Sequence, residues 1–125
     1  MPLSLNTIGQ IGVSISDQER ATAFYRDVLG MPFLFQVPGM SFFNCNGVRL
    51  MLAMPEGDGA FHNASVIYYK VDDIQASTED LRGKGVTIAS EPHEIAKLPD
   101  HALWMSFFKD SESNDIALMS EVPLK

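Results

Sequence analysis

The sequence predicts an α+β fold: two βαβββ modules forming a curved eight-stranded mixed sheet, a cup with its helices on the outer face. Three observations carry this. Each half opens on an alternating strand followed by a capped amphipathic helix. Three strand-like runs separated by turn residues follow each helix. The second half then repeats the order of the first, by pattern rather than identity, with Ile67, Tyr69 and Val71 standing where Ile11, Val13 and Ile15 stood. The predicted boundaries are 7–55 for the first module, 56–63 for a linker and 64–122 for the second, within a single domain 1–125.

In chain order, "IGQIGVSI" alternates Ile11, Val13 and Ile15 on one side with Gln10, Gly12 and Ser14 on the other. "SDQERATAFYRDVLG" is a helix over about 17–29. Ser16 and Glu19 form a capping box, Ala21, Phe24, Tyr25, Val28 and Leu29 make one apolar stripe, and Gly30 supplies the left-handed stop. "FLFQV" (33–37), "SFFNC" (41–45) and "VRLMLAM" (48–54) are strands of a meander, because Pro38-Gly39 and Asn46-Gly47 punctuate them. The polar, glycine-rich "EGDGAFHN" reads as the linker. "ASVIYYKV" restarts the pattern, and "DDIQASTEDLRGKG" is a shorter helix turning Ile74, Thr78 and Leu81 inward. "VTIAS" (86–90), "ALWMSFF" (102–108) and "DIALMS" (115–120) complete the second set, leaving Glu91 to His101 as a long loop, a candidate lid.

Sixteen acidic residues against nine basic ones give a formal charge of −7, a field that repels phosphate backbones and excludes nucleic acid as an expected partner. No apolar run approaches the roughly 20 residues that span a bilayer, so no membrane is expected. The opening "MPLSLNTIGQ" reads as no secretory leader, and a single cysteine, Cys45, allows no internal disulfide. A cytoplasmic location is the resulting expectation.

"SISDQERATAFYRDVLGM" in the first module and "KDSESNDIALMSE" at the end, set in a paired βαβββ pattern, resemble the vicinal oxygen chelate superfamily. That group includes glyoxalases, bleomycin-resistance proteins, fosfomycin-resistance enzymes and extradiol dioxygenases. The resemblance implies a homodimer and, in metal-dependent members, one divalent ion held by His or Gln on the first strand, Glu on the fourth, His on the fifth and Glu on the eighth. Here those positions fall on Gln10, Met51, Val66 and Ala117. Only Gln10 carries an oxygen donor, whereas a catalytic zinc takes three protein ligands and magnesium needs carboxylates. The expectation is therefore no metal and no cofactor, with an unforeseen divalent ion as the alternative.

The inward rows predicted from alternation are Gln10, Gly12 and Ser14; Arg49, Met51 and Ala53; Val66, Tyr68 and Lys70; and Asp115, Ala117 and Met119. Such a lining is apolar at its centre and suits a small apolar or aromatic ligand, including a cationic drug-like one, contacted by Gln10, Ser14, Arg49, Met51, Val66, Tyr68, Trp104 and Ala117. Apolar members of these rows also fit plain core packing, and Arg49 and Asp115 a structural ion pair. His62 falls in the linker. His93 and His101 bracket the long loop and are, with Tyr68, the catalytic candidates. Three functions stay open: a metal-independent small-molecule binder, a lyase, isomerase or dioxygenase-type enzyme, and a structural or regulatory dimer.

Overall fold

The computed structural model describes residues 3–55 and 65–124. The chain divides into two compact units, Met1–Asn63 and Ala64–Lys125. Each is a βαβββ module, as predicted, and the predicted linker lies outside the described residues.

In the first unit, β1 (Gln10–Ser14) leads into α1 (Gln18–Ala23), which runs on as a π-helical turn, Phe24–Val28. Then follow β2 (Phe33–Val37), β3 (Met40–Cys45) and β4 (Val48–Ala53). The sheet order is β1-β4-β3-β2, with β1 parallel to β4 and the other pairs antiparallel. The helix is the crossover that a parallel pair requires. Val13, Ile15, Phe43, Leu50 and Leu52 are buried, as are Ala21 and Tyr25 of the helical segment. The Phe43 ring lies 6.1 Å from that of Tyr25 and 5.5 Å from that of Phe33.

The helix start differs from the predicted capping box. Asp17, extended at φ −137°, accepts from the Arg20 amide at 3.0 Å, and Gln18 is the first helical residue. Ser16 stands one position too early to reach that amide, and a carboxylate at the helix's positive end is favoured besides. Gln18 itself ties the helix to the turn after β2: its amide nitrogen donates to the carbonyls of Val37 and Met40, and its oxygen accepts from the Gly39 amide. At the other end the Leu29 amide reaches back five residues to Phe24, and Gly30, at φ +71°, ends the helix as predicted.

The second unit comprises β5 (Ile67–Lys70), α2 (Ile74–Gly83), β6 (Ile88–Lys97), β7 (His101–Lys109) and β8 (Asp115–Pro123), in sheet order β5-β8-β7-β6. Asp73 caps α2 by accepting from the Ala76 amide at 3.0 Å, and Ile74, Thr78 and Leu81 are buried, as their spacing predicts. Ile116, Leu118 and Phe108, in the core-facing rows of β8 and β7, are buried as well.

The two units share one chemical detail that the hydrophobic pattern does not reveal. Thr22 of α1 is hydrogen-bonded to Ser41 of β3 at 2.7 Å, and Thr78 of α2 to Ser106 of β7 at 3.0 Å. All four hydroxyls are buried. Each pair fastens a helix to the third strand of its module and leaves neither hydroxyl unsatisfied.

Glu91 to His101 is not a loop. β6 extends through Pro92 and His93 to Lys97, and only residues 98–100 turn the chain into β7, closed by the Leu98 amide on the His101 carbonyl at 2.7 Å. β6 is the sheet's edge strand, with register breaks between Ser90 and His93 and between Glu94 and Ala96. An edge with bulges is where a sheet accepts proline, whose missing N–H costs no ladder bond there. The turn before β8 is organised by Asp110. Its carboxylate accepts from the amides of Glu112 and Asn114 at 2.8 Å each and from the Asn114 side chain at 2.9 Å.

Candidate functional site

In each unit the helix covers one sheet face and the other carries no helix of its own unit. Strand register identifies the residues on that second face. In the first unit one row crosses all four strands as Gly12, Met51, Phe42 and Phe35, with Gln10, Arg49 and Asn44 beside it on one side and Ser14, Ala53 and Met40 on the other. Phe35 and Phe42 stack at 4.6 Å. Gly12 leaves room over β1: a Cβ there would meet only the Met51 methyl, at 3.4 Å. The Arg49 guanidinium lies 6.0 Å from the centre of the Phe42 ring and donates to Gln10 Oε1 at 3.5 Å, while Gln10 Nε2 approaches the Met51 sulfur at 3.7 Å.

In the second unit the corresponding row is Tyr68, Ala117 and Phe107, followed by Lys70, Met119 and Met105 in register with His93. Tyr68 and Phe107 meet edge to face at 6.1 Å on either side of Ala117, which is fully buried. Val66 is half-buried just before β5. Trp104 does not share this face. It stands in register with Ser120, whose hydroxyl reaches the Asp72 carbonyl, in the row of Ser106 and Phe108 that faces the helix. Asp115 pairs with Lys109 at 2.5 Å, and within its own unit Arg49 meets Gln10 and the Phe42 ring.

The face of the second unit ends in a cluster of ionisable groups. His101 begins β7 opposite Pro123, one diagonal step from Glu121. Its Nδ1 donates to the Asp100 carboxylate at 2.7 Å. Its Nε2 lies 3.1 Å from Glu121 Oε2, but without the alignment of a hydrogen bond, so that contact is Coulombic. Glu121 in turn takes a 2.6 Å contact from Lys70. The Lys70 ammonium, with a smaller contribution from His101, holds the Glu121 carboxyl below its ordinary value, and hydrogen bonding to His101 does the same for Asp100. Both carboxylates therefore contribute to folding at neutral pH, and that contribution is lost as the pH falls through their lowered values. Removing the lysine charge with Lys70→Met is expected to move the Glu121 titration upward toward that of an ordinary glutamate. Carboxyl-carbon NMR titration measures this, and an unmoved midpoint counts against the pairing. His93, exposed on β6, donates from Nδ1 to the Glu91 carbonyl two residues back, at 2.8 Å. His62 lies outside the described residues.

The residues at the family's metal positions do not fit a metal. Met51 offers a thioether, Val66 and Ala117 offer nothing, and the one oxygen donor, Gln10 Oε1, already faces the cationic Arg49 guanidinium. A hard divalent ion would lack ligands and meet a like charge. Among the described residues no three His, Cys, Asp or Glu side chains are grouped to hold an ion elsewhere. No helix among them is long and apolar enough to cross a membrane.

The family model for the Glyoxalase/Bleomycin resistance protein/Dioxygenase superfamily matches residues 7–118. Mitochondrial methylmalonyl-CoA epimerase of Bos taurus is 27% identical over 137 residues, covering 94% of this chain and 75% of that protein. Among solved structures, a superfamily member from Sphaerobacter thermophilus superposes with a TM-score of 0.78 at 22% identity, over 95% of this chain and 100% of the other. Lactoylglutathione lyase from Agrobacterium tumefaciens gives 0.73 at 21%, over 91% and 92%. At these identities the structural likeness establishes the fold alone.

Proposed function

Because this chain belongs to the glyoxalase/bleomycin resistance protein/dioxygenase superfamily, we propose that it keeps the superfamily's sheet face as a binding surface and uses it without a metal, to hold a small apolar or aromatic molecule. The observation that carries this reading is the row Gly12, Met51, Phe42 and Phe35, an apolar strip with an exposed glycine at one end and, at the other, the exposed Phe35 ring stacked on the buried Phe42. An aromatic ring laid on it buries about 150–250 Å², roughly 4–6 kcal/mol gross before the cost of association. Self-association belongs to the same reading and is supported by β2, an edge strand with Phe33, Leu34, Phe35 and Val37 exposed.

The test uses N-phenyl-1-naphthylamine, a neutral dye whose emission rises in apolar surroundings. Saturable binding is expected, weakened at least about tenfold by Met51→Glu, which sets a charge in the middle of the strip. Non-saturable emission, or equal affinity in the variant, overturns the reading. An enzymatic second reading is favoured by a different observation, the Asp100, His101, Glu121 and Lys70 cluster, whose carboxylate-oriented imidazole has the form of a general acid/base. The similarity to an epimerase supports an enzymatic role.

A further inference from the structure

The formal charge of the chain is −7, which on its own favours a cationic ligand. That charge is not spread evenly. Residues 3–55 carry three acidic side chains, Asp17, Glu19 and Asp27, and three basic ones, Arg20, Arg26 and Arg49. Five of these six lie on the helical segment or its cap, and the remaining one is Arg49. Strands β1 to β4 thus contain a single charged side chain, and it is a cation on the face that bears the apolar strip.

The surroundings of that cation are neutral. Its register partners are Gln10 on β1 and Asn44 on β3, both amides. Its closest contacts are the Gln10 oxygen and the Phe42 ring, and among the described residues it meets no carboxylate within ion-pair distance. The other two arginines behave differently: Arg26 is paired with Asp27, and Arg20 lies in the helical turn with Glu19. A guanidinium presents five donors in a planar fork, and one long contact to an amide oxygen leaves most of them for a ligand. At 6.0 Å from the centre of the Phe42 ring, the guanidinium also lies within cation–π range of the strip.

We propose that the first unit's sheet face selects an organic acid: an apolar or aromatic body lying along Met51, Phe42 and Phe35, with one anionic oxygen group bound by Arg49. The inference rests on the binding reading above and names the ligand class for the same strip. Gln10 serves it by turning its oxygen to the guanidinium and so holding the cation over the strip. The cation shares the face of the strip, whereas the other charged side chains of residues 3–55 lie on the helical segment or its cap, against the opposite face of the sheet.

A matched pair of dyes tests this. N-phenyl-1-naphthylamine and 1-anilinonaphthalene-8-sulfonate share a ring system and differ in one sulfonate. With the full chain at low salt, the sulfonate is expected to bind about tenfold more tightly than the neutral dye, a preference that shrinks as salt is raised. Arg49→Gln is expected to bring the affinity ratio close to one, and Arg49→Lys to keep part of the preference, with circular dichroism checking the fold of each. A ratio near one in the unaltered chain, or one that survives Arg49→Gln, overturns the inference while leaving the binding reading intact. Failure of both dyes to bind saturably overturns the binding reading and the inference with it.

Discussion

Phe43→Ala is expected to cost about 3–5 kcal/mol, the largest loss from any single truncation in the first unit. Phe43 is fully buried and sits where three elements converge: its ring contacts Tyr25 of the π-helical turn and Phe33 of β2, and its strand pairs it with Leu50 of β4. Alanine there removes the shared partner of two aromatic contacts and leaves a cavity that the sheet cannot close, because β3 is hydrogen-bonded on both sides. For a chain of ordinary stability this is a large fraction of the total. Urea unfolding checks it, with Leu34→Ala, on the exposed edge strand, as the comparison expected to fall within about 1 kcal/mol. A Phe43→Ala cost as small as that of the comparison would mean that the core is not organised around this ring.

Asp110→Ala is expected to cost about 2–3 kcal/mol, through lost hydrogen bonds. The carboxylate collects three donors, two amides and an amide side chain, and holds Ser113 at φ +65°, a conformation that L-residues rarely adopt. Without it the turn's amides lose their acceptor inside a largely buried site. Asp110→Asn, which keeps one side-chain oxygen but loses the charge, should recover part of the loss. The same urea midpoint measures both, and equal costs for the two variants would show that the oxygen kept by asparagine contributes nothing here. β8 depends on this turn for its register, since Asp115 and Ile116 begin the strand directly after it.

Much of this architecture was legible in the residues. Gly30, the stripe ending at Leu29, and the dipeptides Pro38-Gly39 and Asn46-Gly47 are signals that act through local backbone geometry, and local geometry survives the absence of tertiary information. Ile74, Thr78 and Leu81 were readable for the same reason. Three features were not. The run read as a strand over 86–90 continues through Pro92 to Lys97, which a bulged edge strand permits and the residues alone do not show. Trp104 was counted among the ligand contacts, although alternation from the core-facing Phe108 puts it toward the helix. The cluster around His101 joins Lys70, Asp100 and Glu121 from three separate strands or turns, and Glu121 falls one residue beyond the predicted strand end at 120. The charge isolation of Arg49 was available from a count made strand by strand, and a whole-chain total of −7 conceals it.

The buried hydroxyl bonds Thr22 to Ser41 and Thr78 to Ser106 give the molecule an internal replicate. The same pair of residue types joins the same two elements in both halves, so Thr22→Val and Thr78→Val are one chemical edit performed in two contexts within one polypeptide. Expression, solvent and overall length are held constant by construction. Any difference between the two costs therefore belongs to the neighbours and not to the bond, which lets a single protein separate the worth of a buried hydrogen bond from the worth of the place where it is made.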